Sequence, residues 1–94
     1  MSAIPVVKKQ WYPITVFYNG ANPACAGDVA PLMRIAHEGR LAFVDCSSPD
    51  FDEEVLAGTP LRRDDLMKWI YARDAHGRWH IGIGALQTAY RAAY

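Results

Sequence analysis

Ile14-Thr15-Val16-Phe17-Tyr18 is a β-branched and aromatic run closed by Asn19-Gly20, which joins strand composition to turn chemistry and predicts a first strand. The next segment decides the topology. After Ala21, Asn22 stands where a side-chain oxygen can accept from a free backbone N–H, and Pro23 loses nothing by lacking its own, so a helix is predicted to start there. Cys25, Val29, Leu32, Ile35 and Ala36 keep near-helical spacing, and Gly39 sits where a left-handed residue would close the helix. Pro31 is expected to bend this helix or to set its first turn apart. Leu41-Ala42-Phe43-Val44 then reads as a short strand buried on both faces, ending in Asp45-Cys46-Ser47-Ser48-Pro49. Strand, helix and strand in this order form a β-α-β unit, whose strands pair in parallel through a right-handed crossover.

The rest of the chain completes the layer. Pro49 and Pro60, with Gly58 between them, predict two short helical pieces across residues 49–66. Met67, Trp69 and Tyr71 alternate with Lys68 and Ile70, Asp74-Ala75-His76-Gly77 turns the chain, and Trp79, Ile81 and Ile83 alternate with His80 and Gly82, which predicts a hairpin. Residues 85–94 are alanine-rich and predict a terminal helix with Leu86, Ala89, Tyr90 and Ala93 on one face. Most of Trp11, Tyr12, Trp69, Tyr71, Trp79, Tyr90 and Tyr94 are assigned to the core, Trp69 and Tyr71 on one face of the third strand. The predicted class is α/β, a four-stranded mixed sheet flanked by helices, in the element order of a thioredoxin-like fold. With 94 residues the chain is expected to hold one domain, residues 14–94, preceded by a lead-in, residues 1–13, whose aromatic end packs on it.

Charge removes several functions. Ten basic residues offset ten acidic ones, so there is no broad positive field to draw in nucleic acid or anionic lipid. No run reaches the roughly 18 to 20 apolar residues of a spanning helix, and the start lacks an apolar core followed by a cleavage site, so a cytoplasmic protein is expected. The cysteines, Cys25 and Cys46, make at most one bridge and no disulfide framework.

In a β-α-β unit the loop after the first strand lies at the carboxyl edge of the sheet, where the next helix directs free N–H groups and the positive end of its dipole. A thiolate is stabilised there, and a C-x-x-C pair can cycle between dithiol and disulfide. Here Tyr18-Asn19-Gly20-Ala21-Asn22-Pro23-Ala24-Cys25 holds half of such a pair. The segment resembles the strand-Asp-Gly-x-Cys-Pro-x-Cys motif of the DCC family of thiol-disulfide oxidoreductase-like proteins, with Asn-Pro-Ala-Cys in place of Cys-Pro-x-Cys. Gly39 to Asp45, Ser48 to Asp52, Leu66-Met67, Asp74 to Arg78 and Gly82 to Ala85 resemble the family's successive blocks in the right order, so the likeness covers about Ile14 to Tyr94. It implies a thioredoxin-like fold. Family members usually continue with further apolar helical sequence, so this chain is expected to be a short or trimmed member.

Two departures fall on the site itself. Asn19 stands where the family has Asp, and Asn22 stands where it has the attacking Cys; Cys25 holds the resolving position. Asparagine forms no thiolate at any pH, so the dithiol activity that the resemblance implies is expected to be lost or strongly reduced. The domain would then serve to bind a protein or small-thiol partner through the cleft beside Asn22 and Cys25. The alternative is an active oxidoreductase that uses Cys25 with Cys46, or with an external thiol such as glutathione. Bridging requires Cα atoms within roughly 7 Å, which the sequence leaves open. Against both stand simpler roles: Asn22 as a helix cap, and the cysteines as small buried apolar residues.

Other polar groups read as structural. His76, His80, Cys25 and Cys46 lack the close-pair spacing of a zinc site, so no metal and no cofactor are expected. His37 suits a helix end, Asp50, Asp52, Glu53 and Glu54 a helix start, and Arg62-Arg63-Asp64-Asp65 balances itself. If the protein ends near Tyr94, surface that longer relatives cover is exposed, and a homodimer is expected.

Overall fold

The computed structural model describes residues 12–36 and 39–93. Most of the lead-in, His37 and Tyr94 lie outside the described residues. The elements run β1 (Ile14–Tyr18), α1 (Pro23–Ile35), β2 (Leu41–Asp45), a 3-10 turn (Glu53–Leu56), α2 (Arg63–Lys68), β3 (Tyr71–Arg73), β4 (Trp79–Ile81) and α3 (Ile83–Ala93). One sheet holds the strands in the order β2-β1-β3-β4, with β1 and β2 parallel and the other two pairs antiparallel. This is a mixed α/β architecture consistent with the expected thioredoxin-like fold. No described helix is long and apolar enough to cross a membrane.

Strand alternation divides the core in two. Ile14 and Val16 of β1 and Ala72 of β3 pack with Val29 and Leu32 of α1 and with Ala85, Ala89, Ala92 and Ala93 of α3. Phe17 and Tyr71, the alternate residues of the same strands, pack with Cys46, Leu56 and Leu66. Successive residues of a strand point to opposite faces, so α1 and α3 cover one side of the sheet and the 3-10 turn and α2 the other. The fully buried residues of α3 are all alanines, and Leu86 and Tyr90 pack against the same cluster only partly buried. Tyr12 packs on the α1–α3 side beneath the Arg40 guanidinium, which lies 5.3 Å from its ring centroid.

Several local expectations are corrected. Strand β2 is only half-buried along its whole length, because it is an edge strand with a single neighbour. Helix α1 ends at Ile35, where the Ala36 N–H still reaches the Leu32 carbonyl, and Gly39 (φ 84°) serves the turn into β2 instead. Pro31 lies inside this one helix without dividing it. The helical pieces of the linker do not start at the prolines: Asp52 caps the 3-10 turn by accepting from the Glu54 N–H at 2.9 Å, and Asp65, inside the first turn of α2, reaches back to the Arg62 N–H at the N-cap at 2.9 Å. That bond closes the start of α2, which runs through Lys68 and takes Met67 out of the predicted strand. Trp69 therefore caps α2 and is 58% exposed, not part of the core. Ile83 opens α3 rather than closing β4 and is 75% exposed.

Leu32 has no exposed surface and lies where α1 meets the sheet. Leu32→Ala leaves a cavity there and is expected to lower unfolding stability by about 2–5 kcal/mol, read as a drop in the urea midpoint with little change in slope.

Candidate functional site

The loop that leaves the carboxyl end of β1 is fixed by backbone and asparagine side-chain hydrogen bonds. The Asn22 N–H donates to the Asn19 carbonyl at 3.1 Å, which closes the turn, and the Asn22 carbonyl accepts from Ala26 at 2.9 Å as the first bond of α1. Asn22 Oδ1 accepts from the Ala24 N–H at 2.9 Å, so this side chain is the helix cap. Asn19 works in two directions: Oδ1 accepts from the Ala21 N–H at 3.0 Å, and Nδ2 donates to the Met67 carbonyl at 3.2 Å, tying the loop to α2.

Asp45 is the residue that joins this loop to β2. Parallel register sets it beside Tyr18, and its Oδ1 accepts from the Gly20 N–H at 2.8 Å, the Ser47 N–H at 2.9 Å and the Ser47 hydroxyl at 2.6 Å. The Ser47 hydroxyl and these backbone donors hold the carboxyl below its usual range, outweighing partial burial. Gly20 meets it so closely that a Cβ added there would collide with the carboxylate. Burial raises the nearby Tyr18 phenol, with Asp45 and Cys46 adding to the rise. Asp45 does not stand out as a site residue in the sequence. The available signal is topological: in a parallel β-α-β unit, the last residue of the second strand flanks the loop after the first.

The cysteines have different surroundings. Cys25 lies in the first turn of α1, half-buried against the α1–α3 core. Cys46 is 0% exposed and belongs to the core on the other face of the sheet, with Phe17, Leu56 and Leu66. Its N–H donates to the Tyr18 carbonyl at 2.8 Å, and its carbonyl accepts from Arg63 Nε at 2.9 Å. Burial pushes the Cys46 thiol up to about 11, with Asp45 adding to the rise and Arg63 opposing it. It is therefore protonated at neutral pH and a poor nucleophile. Both cysteines are free. Asn19, Asn22 and Cys25 thus share one loop and helix start, whereas Cys46 is close in sequence register but sits across the sheet from Cys25. His80 faces Asp74 at the other end of the molecule and His76 is exposed, so neither histidine approaches this loop. Among the described residues no three His, Cys, Asp or Glu side chains are grouped to hold a metal ion.

The family model described as DCC1-like thiol-disulfide oxidoreductase matches residues 16–94. No curated protein and no solved structure matches the chain.

Two experiments probe this geometry. With an aromatic disulfide reagent at pH 8 (about three units below the Cys46 value), Cys25 is expected to react in the native protein and Cys46 only after unfolding. Gly20→Ala forces the Asp45 carboxylate off its donors and is expected to destabilise by about 1–3 kcal/mol. In an Asp45→Ala background the same substitution costs much less, so a double-mutant cycle by urea denaturation gives a positive coupling.

Proposed function

The chain belongs to the DCC1-like thiol-disulfide oxidoreductase family, and on that premise we propose that it is a member whose dithiol redox activity is lost or strongly reduced. The observation that carries this reading is the engagement of the Asn22 side-chain oxygen as the cap of α1, 2.9 Å from the Ala24 nitrogen, at the position that the resemblance aligns with the attacking Cys. Disulfide exchange needs a thiolate that attacks a sulfur and a second thiol that releases the mixed disulfide. An amide supplies neither. Cys25 holds the resolving position, and the only other thiol, Cys46, is buried on the opposite face of the sheet, in its protonated form. This packing weighs against the alternative in which Cys25 and Cys46 cycle as a pair.

Residues 14–94 then act as one thioredoxin-like binding unit. Its contact surface is the loop from Asn19 to Cys25, held rigid by Asp45 and by the Met67 carbonyl, with a protein or small-thiol partner as its occupant. Two unpaired thiols suit a reducing compartment, in keeping with a cytoplasmic protein. The exposed Trp69, Ile81 and Ile83 side chains support self-association as a homodimer.

The test is insulin reduction with dithiothreitol as the electron source. The wild-type chain is expected to leave the rate at that of the reductant alone. Asn22→Cys restores the C-x-x-C spacing, and under mild oxidation this variant is expected to form an intramolecular bridge between the introduced thiol and Cys25, detectable by mass spectrometry, and to gain turnover. Catalysis by the wild-type chain would overturn the loss of activity, and absence of the bridge in the variant would overturn the assignment of Asn22 to the attacking position.

A further inference from the structure

At the amino end of β1, away from the Asn19–Cys25 loop, a second polar cluster borders a cavity. Asp74 follows β3 and organises the hairpin turn. Its Oδ1 accepts from the N–H groups of His76 and Arg78 at 2.9 and 3.0 Å, and its Oδ2 lies 3.2 Å from His80 Nε2 and 3.5 Å from Arg78 Nε. Burial alone would raise this carboxyl, but the Arg78 N–H, the His80 ring, the His76 N–H and the Arg78 charge together hold it below its usual range. Asp74 is thus ionised, with both oxygens engaged.

Beside it lies a cavity of about 270 Å³ with Thr88 and Arg91 of α3 at its margin and the almost fully buried Ile14 and Ala92 at its floor. Arg91 has no hydrogen-bond or ion-pair partner among the described residues. Arg78 meets Asp74 through Nε alone, its side chain is 68% exposed, and its terminal nitrogens have no acceptor among the described residues. Two guanidinium groups against one carboxylate leave the margin cationic, and guanidinium forks match carboxylate and phosphate oxygens. A cationic margin over a cavity in which Thr88 spends its hydroxyl on the Gly84 carbonyl at 2.8 Å suits a small organic anion. Its size falls just below the about 300 Å³ at which sites for drug-sized ligands begin, which limits the occupant to a short molecule.

We propose that this cavity binds a small organic anion, its carboxylate or phosphate head held by Arg78 and Arg91 and its short apolar tail entering the cavity beside Thr88. The site is separate from the thiol loop, so it stands or falls independently of the redox reading.

The experiment is a titration of the isotope-labelled full chain, followed by amide chemical shifts, with hexanoate, hexyl phosphate and hexanol as probes. Saturable binding of at least one of the two anions in the millimolar range is expected, with shifts centred on Arg78, His80 and Ala92. Hexanol is expected to bind about tenfold more weakly or worse. Arg91→Gln, at an exposed and unpartnered position, is expected to weaken the anion about tenfold or more with unchanged thermal stability, and Arg78→Gln to weaken it as well. Arg34→Gln, an exposed charge on α1, leaves binding unchanged. The head that binds more tightly distinguishes a free carboxylate from a phosphoester as the source. Equal binding of hexanol, equal loss in the Arg34 and Arg91 variants, or no saturation by either anion would overturn the proposal.

Discussion

Everything at the candidate site depends on the position of β1 as the inner strand of the sheet. It is paired on both edges, to β2 in parallel and to β3 antiparallel, and carries buried side chains on both faces. A strand held in four directions cannot shift along its axis without breaking a ladder and turning its apolar residues to the wrong face. The end of β1 is therefore a fixed point. The loop that leaves it is anchored again by Asp45 on one side and the Met67 carbonyl on the other. Rigid strands deliver the loop, and side-chain hydrogen bonds then set its shape.

That rigidity leaves the start of α1 to be closed by a local cap. A helix start needs an acceptor for its free N–H groups, and asparagine is among the best residues for that purpose. Asn22 therefore serves the fold as the cap of α1. Family membership rests on residues 16–94 together and not on any one position of this loop.

The architecture is legible in the sequence because its strongest signals are local. The run from Ile14 to Tyr18 matches β1 to the residue, and Asn22-Pro23 marks the start of α1, because strand composition and cap chemistry act over a few neighbours. Between 60 and 71 a local pattern misleads instead. Met67, Trp69 and Tyr71 alternate like a strand, but the Asp65 carboxylate upstream nucleates a helix that runs through the first of them. Burial is less legible than secondary structure, since the apolar run from Leu41 to Val44 says nothing about how many neighbours its strand has. The site is half legible. Asn19, Asn22 and Cys25 are contiguous enough to be seen as one loop, whereas the role of Asp45 and the separation of Cys46 from Cys25 depend on side-chain direction at the end of β2, which emerges only once the register is known.

The contact between Gly20 and Asp45 has an evolutionary corollary. The carboxylate takes up the space that any side chain at position 20 would require, and the bare backbone there donates the bond that keeps the carboxylate in place. Neither residue can drift while the other is retained, so lineages descending from this chain should keep the two together or exchange them together, whatever becomes of the residues around them.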